Sequence, residues 1–360
     1  MKKIVLTGGG TAGHVTPNIA LLPTLKEQGY EIEYIGSMDG IEKTLIEEQG
    51  IKYHSVATGK LRRYFSLRNF TDPFRVIKGF FDALSHIGKI KPSVVFSKGG
   101  FVSVPVVIAA AVKGVPVIIH ESDMTPGLAN KICLPFAKKV CCNFPETVKH
   151  LPEGKGIQTG SPIRAELFTG DASQAESFLY KQDDVKELPD KPYIMVMGGS
   201  LGAVKVNEAV RNILPRLLEK FNIIHLCGKG KLDKNLLGTT GYFQFEYIKD
   251  ELKDLFALSD ILVTRAGANA ICEIQALAKP NLLIPLSAKA SRGDQILNAK
   301  SFVNQGFSLM LDEDEMTADD LYNEIIKLYE NRETFIKTMQ ESTMNDAINK
   351  IVTLINEVAK

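Results

Sequence analysis

The chain has 360 residues and a net charge of +1; that length exceeds one ordinary core and predicts two domains, while the balanced charge argues against a general nucleic-acid binder, which needs a large basic excess. Its five cysteines, Cys133, Cys141, Cys142, Cys227 and Cys272, form neither an even disulfide framework nor a CxxC zinc pair. They are expected to be buried small hydrophobes in a reduced cytoplasm.

The opening MKKIVL offers too short an apolar stub for a signal peptide. The longest apolar stretch, Phe101 to Val112, is about half of the roughly 20 residues that a membrane-spanning helix needs. Along the chain, short β-branched runs alternate with amphipathic segments, as in parallel strands joined by crossover helices. Strands are predicted at Ile4 to Thr7, Ile32 to Ile35, Val94 to Ser97, Val117 to His120 and Lys139 to Cys142, then at Tyr193 to Met197, Ile223 to Leu226, Ile261 to Thr264 and Leu282 to Pro285. The stretch TGSPIR at 159–164 and the polar run after it read as the hinge between the halves. The predicted division is 1–162 and 163–342, with a final helix over about 343–360 that packs back on the first domain; Ile348, Ile351, Val352, Ile355 and Val358 recur there at helical spacing.

The first strand leads into GGGTAGHVTPN at 8–18 and the first strand of the second half into GGSLGA at 198–203, so strand, glycine turn and helix occur twice. Such a turn lets the backbone approach a phosphate, and the helix that follows supplies free N–H groups and a favourable dipole. Gly8, Gly10 and Gly13 also satisfy GxGxxG, the dinucleotide fingerprint. A dinucleotide site would place a carboxylate at the end of the second strand, yet none occurs there before Asp39. Two turns each holding a diphosphate fit better. In the second half Arg265 to Asn269 form a small-residue loop after a strand, and Glu273 falls in the helix that follows. A carboxylate there can accept from both hydroxyls of a ribose, or act only as a dipole partner. Asp294 and Gln295 open another helix, Asp294 as an N-cap candidate and Gln295 as a reader of sugar hydroxyls. The DxD-like run Asp312-Glu313-Asp314 reads as a solvated acidic loop and not as a metal site.

Taken together, GGTAGHVTPNIAL, SKGGFVSVPVVIAA, HESDMTPGLANK, TGSPIR, VMGGSLGA and RAGANAICEIQALAKP with DQILNA resemble the MurG family, bacterial UDP-N-acetylglucosamine transferases of peptidoglycan synthesis, from about residue 4 to about residue 305. The resemblance implies an α/β GT-B fold: two Rossmann-like doubly wound domains with a cleft between them. It implies transfer of N-acetylglucosamine to the C4 hydroxyl of the muramoyl sugar of undecaprenyl-pyrophosphoryl-MurNAc-pentapeptide (lipid I), giving lipid II, by an inverting mechanism with no metal and no cofactor. It further implies that donor contacts come from Thr11, Ala12, Gly13, Asp123, Arg164, Ser200, the backbone at Ile248, Ala268, Asn269, Ala270, Glu273 and Gln295, and that Gly9, Gly10, Thr11, Gly13 and His14 meet the acceptor diphosphate. Two departures stand out: HESD carries Asp123 where relatives often have an amide, and Asp294 stands where relatives can show a glutamine.

Inversion needs a base for the acceptor hydroxyl. His14 suits that task through its ordinary pKa near 6.5, and equally suits hydrogen bonding to the acceptor diphosphate; Asp123 and Glu121 are the alternative bases. Charge on the departing UDP falls to the second glycine loop and Arg164. Residues 60–81 interleave Arg62, Arg63 and Arg75 with Phe65, Phe70, Phe74, Phe80 and Phe81, a composition that fits the headgroup level of an anionic bilayer. The expected location is therefore the cytoplasmic face of the cell membrane, as a peripheral protein, with UDP-N-acetylglucosamine, lipid I, the anionic membrane surface and other cell-wall synthesis proteins as partners and no nucleic acid. Competing readings are another UDP-sugar glycolipid transferase, a UDP-N-acetylglucosamine epimerase, a non-catalytic nucleotide-sugar sensor and, last, an NAD-dependent dehydrogenase.

Overall fold

The computed structural model describes residues 2–59, 72–183, 189–199 and 202–360. The chain divides into two units, Met1–Arg164 with Asp346–Lys360, and Ala165–Asn345. In the first unit the described strands are β1 (Lys2–Thr7), β2 (Tyr30–Ser37), β3 (Lys52–Val56), β4 (Val94–Ser97), β5 (Val117–Glu121), β6 (Lys139–Cys142) and β7 (Gly156–Gln158). They form one sheet in the order β3-β2-β1-β4-β5-β6-β7, parallel at every pairing. The second unit holds β8 (Tyr193–Met197), β9 (Asn222–Leu226), β10 (Tyr242–Phe245), β11 (Ile261–Thr264), β12 (Asn281–Leu283) and β13 (Ser308–Met310), in the parallel order β10-β9-β8-β11-β12-β13.

The alternation of side chains along a strand sends β1 into two cores at once. Ile4 and Leu6 join the cluster under the helix Thr16–Glu27, while Val5 joins that under the helix Ser103–Val112. Burial on both faces explains why the central strands read as continuous apolar runs. The last helix, Ala347–Val358, lies in the first unit: Ile351, Val352, Leu354, Ile355 and Val358 pack with Ile4 and Leu6. Each such buried side chain contributes on the order of 1.5–3 kcal/mol. The Tyr30 hydroxyl donates to Asn356 Oδ1 at 2.8 Å, and the Lys360 N–H donates to Ser93 O at 3.1 Å, which fixes the helix from both ends.

All nine predicted strands are present, the ninth one step earlier, at Asn281–Leu283. Four strands are additional: β3, β7, β10 and β13, the outermost strands of the two sheets. All five cysteines are free and buried.

Candidate active site

In each sheet the winding reverses between two central strands, β1 and β4 in the first unit and β8 and β11 in the second. Loops leaving such a pair diverge to opposite faces and open a crevice at the carboxyl ends of the strands, where ligands bind in open α/β sheets. Both glycine turns occupy these positions: residues 8–14 follow β1, and residues 198–203 follow β8.

In the first unit, Gly10 adopts φ +88° with open space where a side chain would project. Thr11 and Ala12 are exposed and Gly13 partly so; a short 3-10 turn, Ala12–His14, precedes the helix Thr16–Glu27, whose Pro17 sits in the first turn where no N–H is missed. The turn is braced from inside by Glu42, a fully buried carboxylate on the helix Ile41–Glu47. Glu42 Oε2 accepts from the Gly10 N–H at 3.2 Å, and Oε1 accepts from the Ser37 N–H at 3.2 Å and from the Ser37 hydroxyl. The N–H of Gly10, expected to face the acceptor diphosphate, is therefore engaged by an internal anion.

His14 is partly buried, and its pKa falls from 6.5 to about 4. Desolvation is the main cause and the Lys98 charge the second; the Lys98 main chain and the Glu42 charge pull weakly the other way. The ring is neutral near pH 7. Glu121 and Asp123 stand at the end of β5, two strands from β1. Glu121 is buried and holds its own loop: it accepts from the Asp123 N–H at 3.0 Å, the Gly127 N–H at 2.9 Å and Asn130 Nδ2 at 2.8 Å. Burial is the largest influence on its carboxyl and pushes the pKa up. With both oxygens so engaged Glu121 shapes the loop that carries Asp123. Arg164 is partly buried at the last position of the first unit's main segment.

The second unit gathers its candidates at the carboxyl edge of its sheet. Gly202 has φ +69°, and a Cβ there would lie 2.0 Å from the Cys227 carbonyl oxygen, so the turn packs directly on the end of β9. Ser200 lies outside the described residues. The helix Ala268–Ala276 follows β11; Ala268 is buried, Asn269 and Ala270 are partly exposed, and Glu273 is partly exposed in the second turn. Gln295, in the first turn of the helix Asp294–Asn304, accepts from the Leu286 N–H at 3.0 Å, which fixes its amide and leaves Nε2 as the donating end. Ile248 is buried in the loop after β10.

The acidic run 312–314 differs from its sequence reading. Glu313 is buried, not solvated: Oε2 pairs with Arg265 Nη1 at 2.5 Å and Oε1 accepts from the Ser287 N–H at 3.0 Å. Arg265 Nη1 also donates to the carbonyls of Ile284 and Pro285 at 2.9 and 3.2 Å. Asp314 accepts from the Ser287 hydroxyl at 2.6 Å and pairs with Lys205 at 2.9 Å, bonds that draw its carboxyl below the usual range, the Ser287 bond most. The run ties the loops after β11, β12 and β13 together. Among the described residues no group of three or more His, Cys, Asp or Glu is arranged to hold a metal ion.

Sequence reasoning missed Glu42, Lys98, Arg265 and Glu313 as builders of these loops. Lys98 and Arg265 carried a signal, each as the residue directly after a strand at its sheet's switch point, β4 and β11. Of the expected membrane segment, Arg62, Arg63, Phe65 and Phe70 lie outside the described residues, and nothing is described of the Phe74 side chain. On the helix Asp72–Ile90, Arg75 is exposed and Phe81 is 60% exposed, as is Ile77 one turn earlier at 55%. Phe80 instead packs against the core cluster of Ala83 and Ile87. Among the described residues no helix is long and apolar enough to cross a membrane.

Comparison with known proteins agrees with this architecture. Residues 4–142 match the glycosyltransferase family 28 N-terminal domain and residues 193–355 the glycosyltransferase family 28 C-terminal domain. The chain is 62% identical, over 100% of both sequences, to the UDP-N-acetylglucosamine--N-acetylmuramyl-(pentapeptide) pyrophosphoryl-undecaprenol N-acetylglucosamine transferase of Lachnospira eligens. It is 56% identical, over 99% of both, to the protein of the same name from Lachnoclostridium phytofermentans. Among solved structures it resembles Acinetobacter baumannii MurG, with a TM-score of 0.74 and 26% identity over 99% of this chain and 100% of the other. In fold alone it also resembles the glycotransferase of kitacinnamycin, at a TM-score of 0.73 and 13% identity over 99% of both chains.

Proposed function

Since the chain belongs to the MurG family of glycosyltransferases and has the GT-B fold, we propose that it moves N-acetylglucosamine from UDP-N-acetylglucosamine to the C4 hydroxyl of MurNAc in undecaprenyl-pyrophosphoryl-MurNAc-pentapeptide, forming lipid II with inversion and without a metal. The observation that carries the reading is a glycine turn at the switch point of each sheet, in a chain 62% identical along its whole length to a curated transferase.

In a single displacement the acceptor oxygen bonds to the anomeric carbon as the bond to the UDP β-phosphate oxygen breaks, and the hydroxyl proton passes to a base. His14 is that base in this reading. It is neutral at working pH, and an arriving diphosphate raises its proton affinity just where a proton must be taken up. The same ring N–H serves the diphosphate if Asp123 takes the proton instead. In the second unit Glu273 accepts from the ribose diol, the backbone at Ile248 reads the base, and Ala268, Asn269, Ala270 and Gln295 line the sugar. The loop around Ser200 and the N-terminus of the helix Val204–Asn212, with Arg164, stabilise the charge that grows on UDP. The place of Gln295 at the sugar is supported by its amide oxygen, which the Leu286 N–H engages, so that Nε2 is the donating end.

The reading includes peripheral attachment at the cytoplasmic face of the membrane. It is supported by the exposed Ile77 and Phe81, one helical turn apart, beside exposed Arg75 and Lys78. Other cell-wall synthesis proteins are the expected neighbours there. A transfer assay with UDP-N-acetylglucosamine and a short-chain muramoyl pyrophosphoryl lipid, run in chelator, tests the reaction: UDP and disaccharide lipid are expected in equal amounts. Absence of disaccharide, or its appearance only when divalent metal is restored, overturns the respective part of the reading. Flotation with anionic vesicles at low salt tests attachment; protein left at the bottom of the gradient refutes it.

A further inference from the structure

Lys98 is 1% exposed, directly after β4. Its N–H donates to Thr7 O at 2.9 Å, which ties it to the start of the first glycine turn. A Cβ built at Gly8 would lie 2.6 Å from the His14 carbonyl oxygen and 3.2 Å from Lys98 Cβ, so the turn, His14 and the root of the Lys98 side chain share one packed point. The far end of the side chain reaches another strand: Nζ is 2.9 Å from His120 Nδ1 and 2.5 Å from Ser122 Oγ. His120 Nε2 is 3.0 Å from Gly160 O. A carbonyl only accepts, so Nε2 carries the proton and Nδ1 offers its lone pair to the Lys98 ammonium. Ser122 O in turn accepts from Asn143 Nδ2 at 3.0 Å, and His120 O from Asn130 Nδ2 at 3.0 Å.

Lys98 thus connects the glycine turn after β1 through its main chain, the loop after β5 that carries Asp123 through its ammonium, and, by way of His120, the segment 159–164 that ends in Arg164. An ammonium is costly to bury, and a methionine of similar length would fill the space without that cost. The charge itself therefore calls for a role. We propose that Lys98 is a positioning residue for the transfer: it fastens these three segments in one arrangement, from which His14 and Asp123 meet the acceptor. The proposal rests on the reading of His14 given above. Among the described residues two charged groups act on His14, Lys98 from the end of β4 and Glu42 from the helix Ile41–Glu47, in opposite senses. Loss of the Lys98 charge then lets the imidazole hold its proton to higher pH.

Lys98→Met and Ser122→Ala are compared with the parent protein in kcat/KM for the acceptor as a function of pH, in donor KM, and in the His14 ring titration followed by NMR. Lys98→Met is expected to lower acceptor kcat/KM by about 100-fold through misplacement of the reacting groups. Its acid limb and the His14 titration should both move upward, with donor KM unchanged. Ser122→Ala keeps the charge and loses one anchor; a loss of about 10-fold with the acid limb in place is expected. A folded Lys98→Met protein that loses activity while the limb and the His14 titration stay fixed has lost only packing, and that overturns the proposal. If Lys98→Met does not fold, Ser122→Ala decides, and unchanged acceptor kcat/KM overturns it. Should His14→Gln retain full activity while Lys98→Met still moves the His14 titration and lowers acceptor kcat/KM, the reading of His14 fails and the role of Lys98 stands.

Discussion

The turns after β1 and β8 leave their sheets at equivalent switch points, yet they are finished differently. The first gives its Gly10 N–H to an internal carboxylate, runs into a short 3-10 turn and presents a histidine, with the buried Lys98–His120 pair behind it. The second has the Gly202 carbonyl held by Lys231 Nζ at 3.3 Å and runs through Ala203 into the helix Val204–Asn212. Behind it Asn207 and Tyr242 flank His225 at 3.0 and 2.8 Å, and burial lowers the pKa of that ring to about 3. No residue between Gly198 and Ala203 titrates. In the function proposed above, the first turn carries the proton chemistry and the second holds the anion. The repeat keeps strand, glycine turn and helix at the switch point and varies what stands beside them.

The largest effect should come from exchanging roles between the two sides. His14→Gln is expected to lower kcat by about 10²–10⁴-fold, the range for loss of a positioned base, with donor KM unchanged. Glu273→Gln should instead raise donor KM by about 10-fold, the loss of charge-assisted bonds to a diol, and leave kcat nearly intact. Initial-rate kinetics with each substrate varied decides. If His14→Gln changes only donor KM, the division of labour drawn here is wrong.

What the sequence made legible follows the same contrast. Central strands are buried on both faces, so their apolar runs announced themselves; both glycine turns, and the candidates that directly follow a strand, came with them. The strands that escaped notice are all edges. β3 reads KYHSV, with the charge and polarity of a strand that is half open, and β7 and β13 are three residues each, too short to show any period. The parts of the site that escaped are its long-range supports. Glu42 lies 32 positions from Gly10 and Glu313 lies 48 from Arg265. An acidic letter far along the chain carries no mark of the backbone N–H or guanidinium it will meet. The acidic run at 312–314 was misread for that reason: composition alone points to solvent, while the fold turns Glu313 inward.

Glu313 gives the next largest effect, on stability. Arg265 is 9% exposed and Glu313 8% exposed, so removing one partner strands a buried charge. Glu313→Gln is expected to cost about 4 kcal/mol of unfolding free energy. The double variant Arg265→Met with Glu313→Leu should recover most of it, because an apolar pair has no charge to desolvate. Urea melts of the three proteins measure this. An exposed pair offers the control: Asp319→Asn breaks the contact with Arg216 Nη1 at 2.6 Å, where both side chains are exposed, and should cost less than about 1 kcal/mol. Equal losses at the two places would show that burial is not what separates them.

The smallest effect distinguishes the glycines themselves. Gly10 and Gly202 both have positive φ, +88° and +69°, and an alanine is strained at either. At Gly10 a new methyl meets nothing within 4 Å; at Gly202 it lies 2.0 Å from a main-chain oxygen that cannot step aside without moving the end of β9. Gly10→Ala should therefore cost about 1 kcal/mol of stability and Gly202→Ala about 3 kcal/mol, at the upper end for a strained backbone position. Activity should invert that order relative to stability: the methyl at Gly10 projects into open space at an exposed turn, where the acceptor diphosphate is expected, and should raise acceptor KM in a protein that remains folded. Thermal melts paired with acceptor kinetics separate the two outcomes, and a Gly10→Ala protein with unchanged acceptor KM would move the diphosphate away from Gly10.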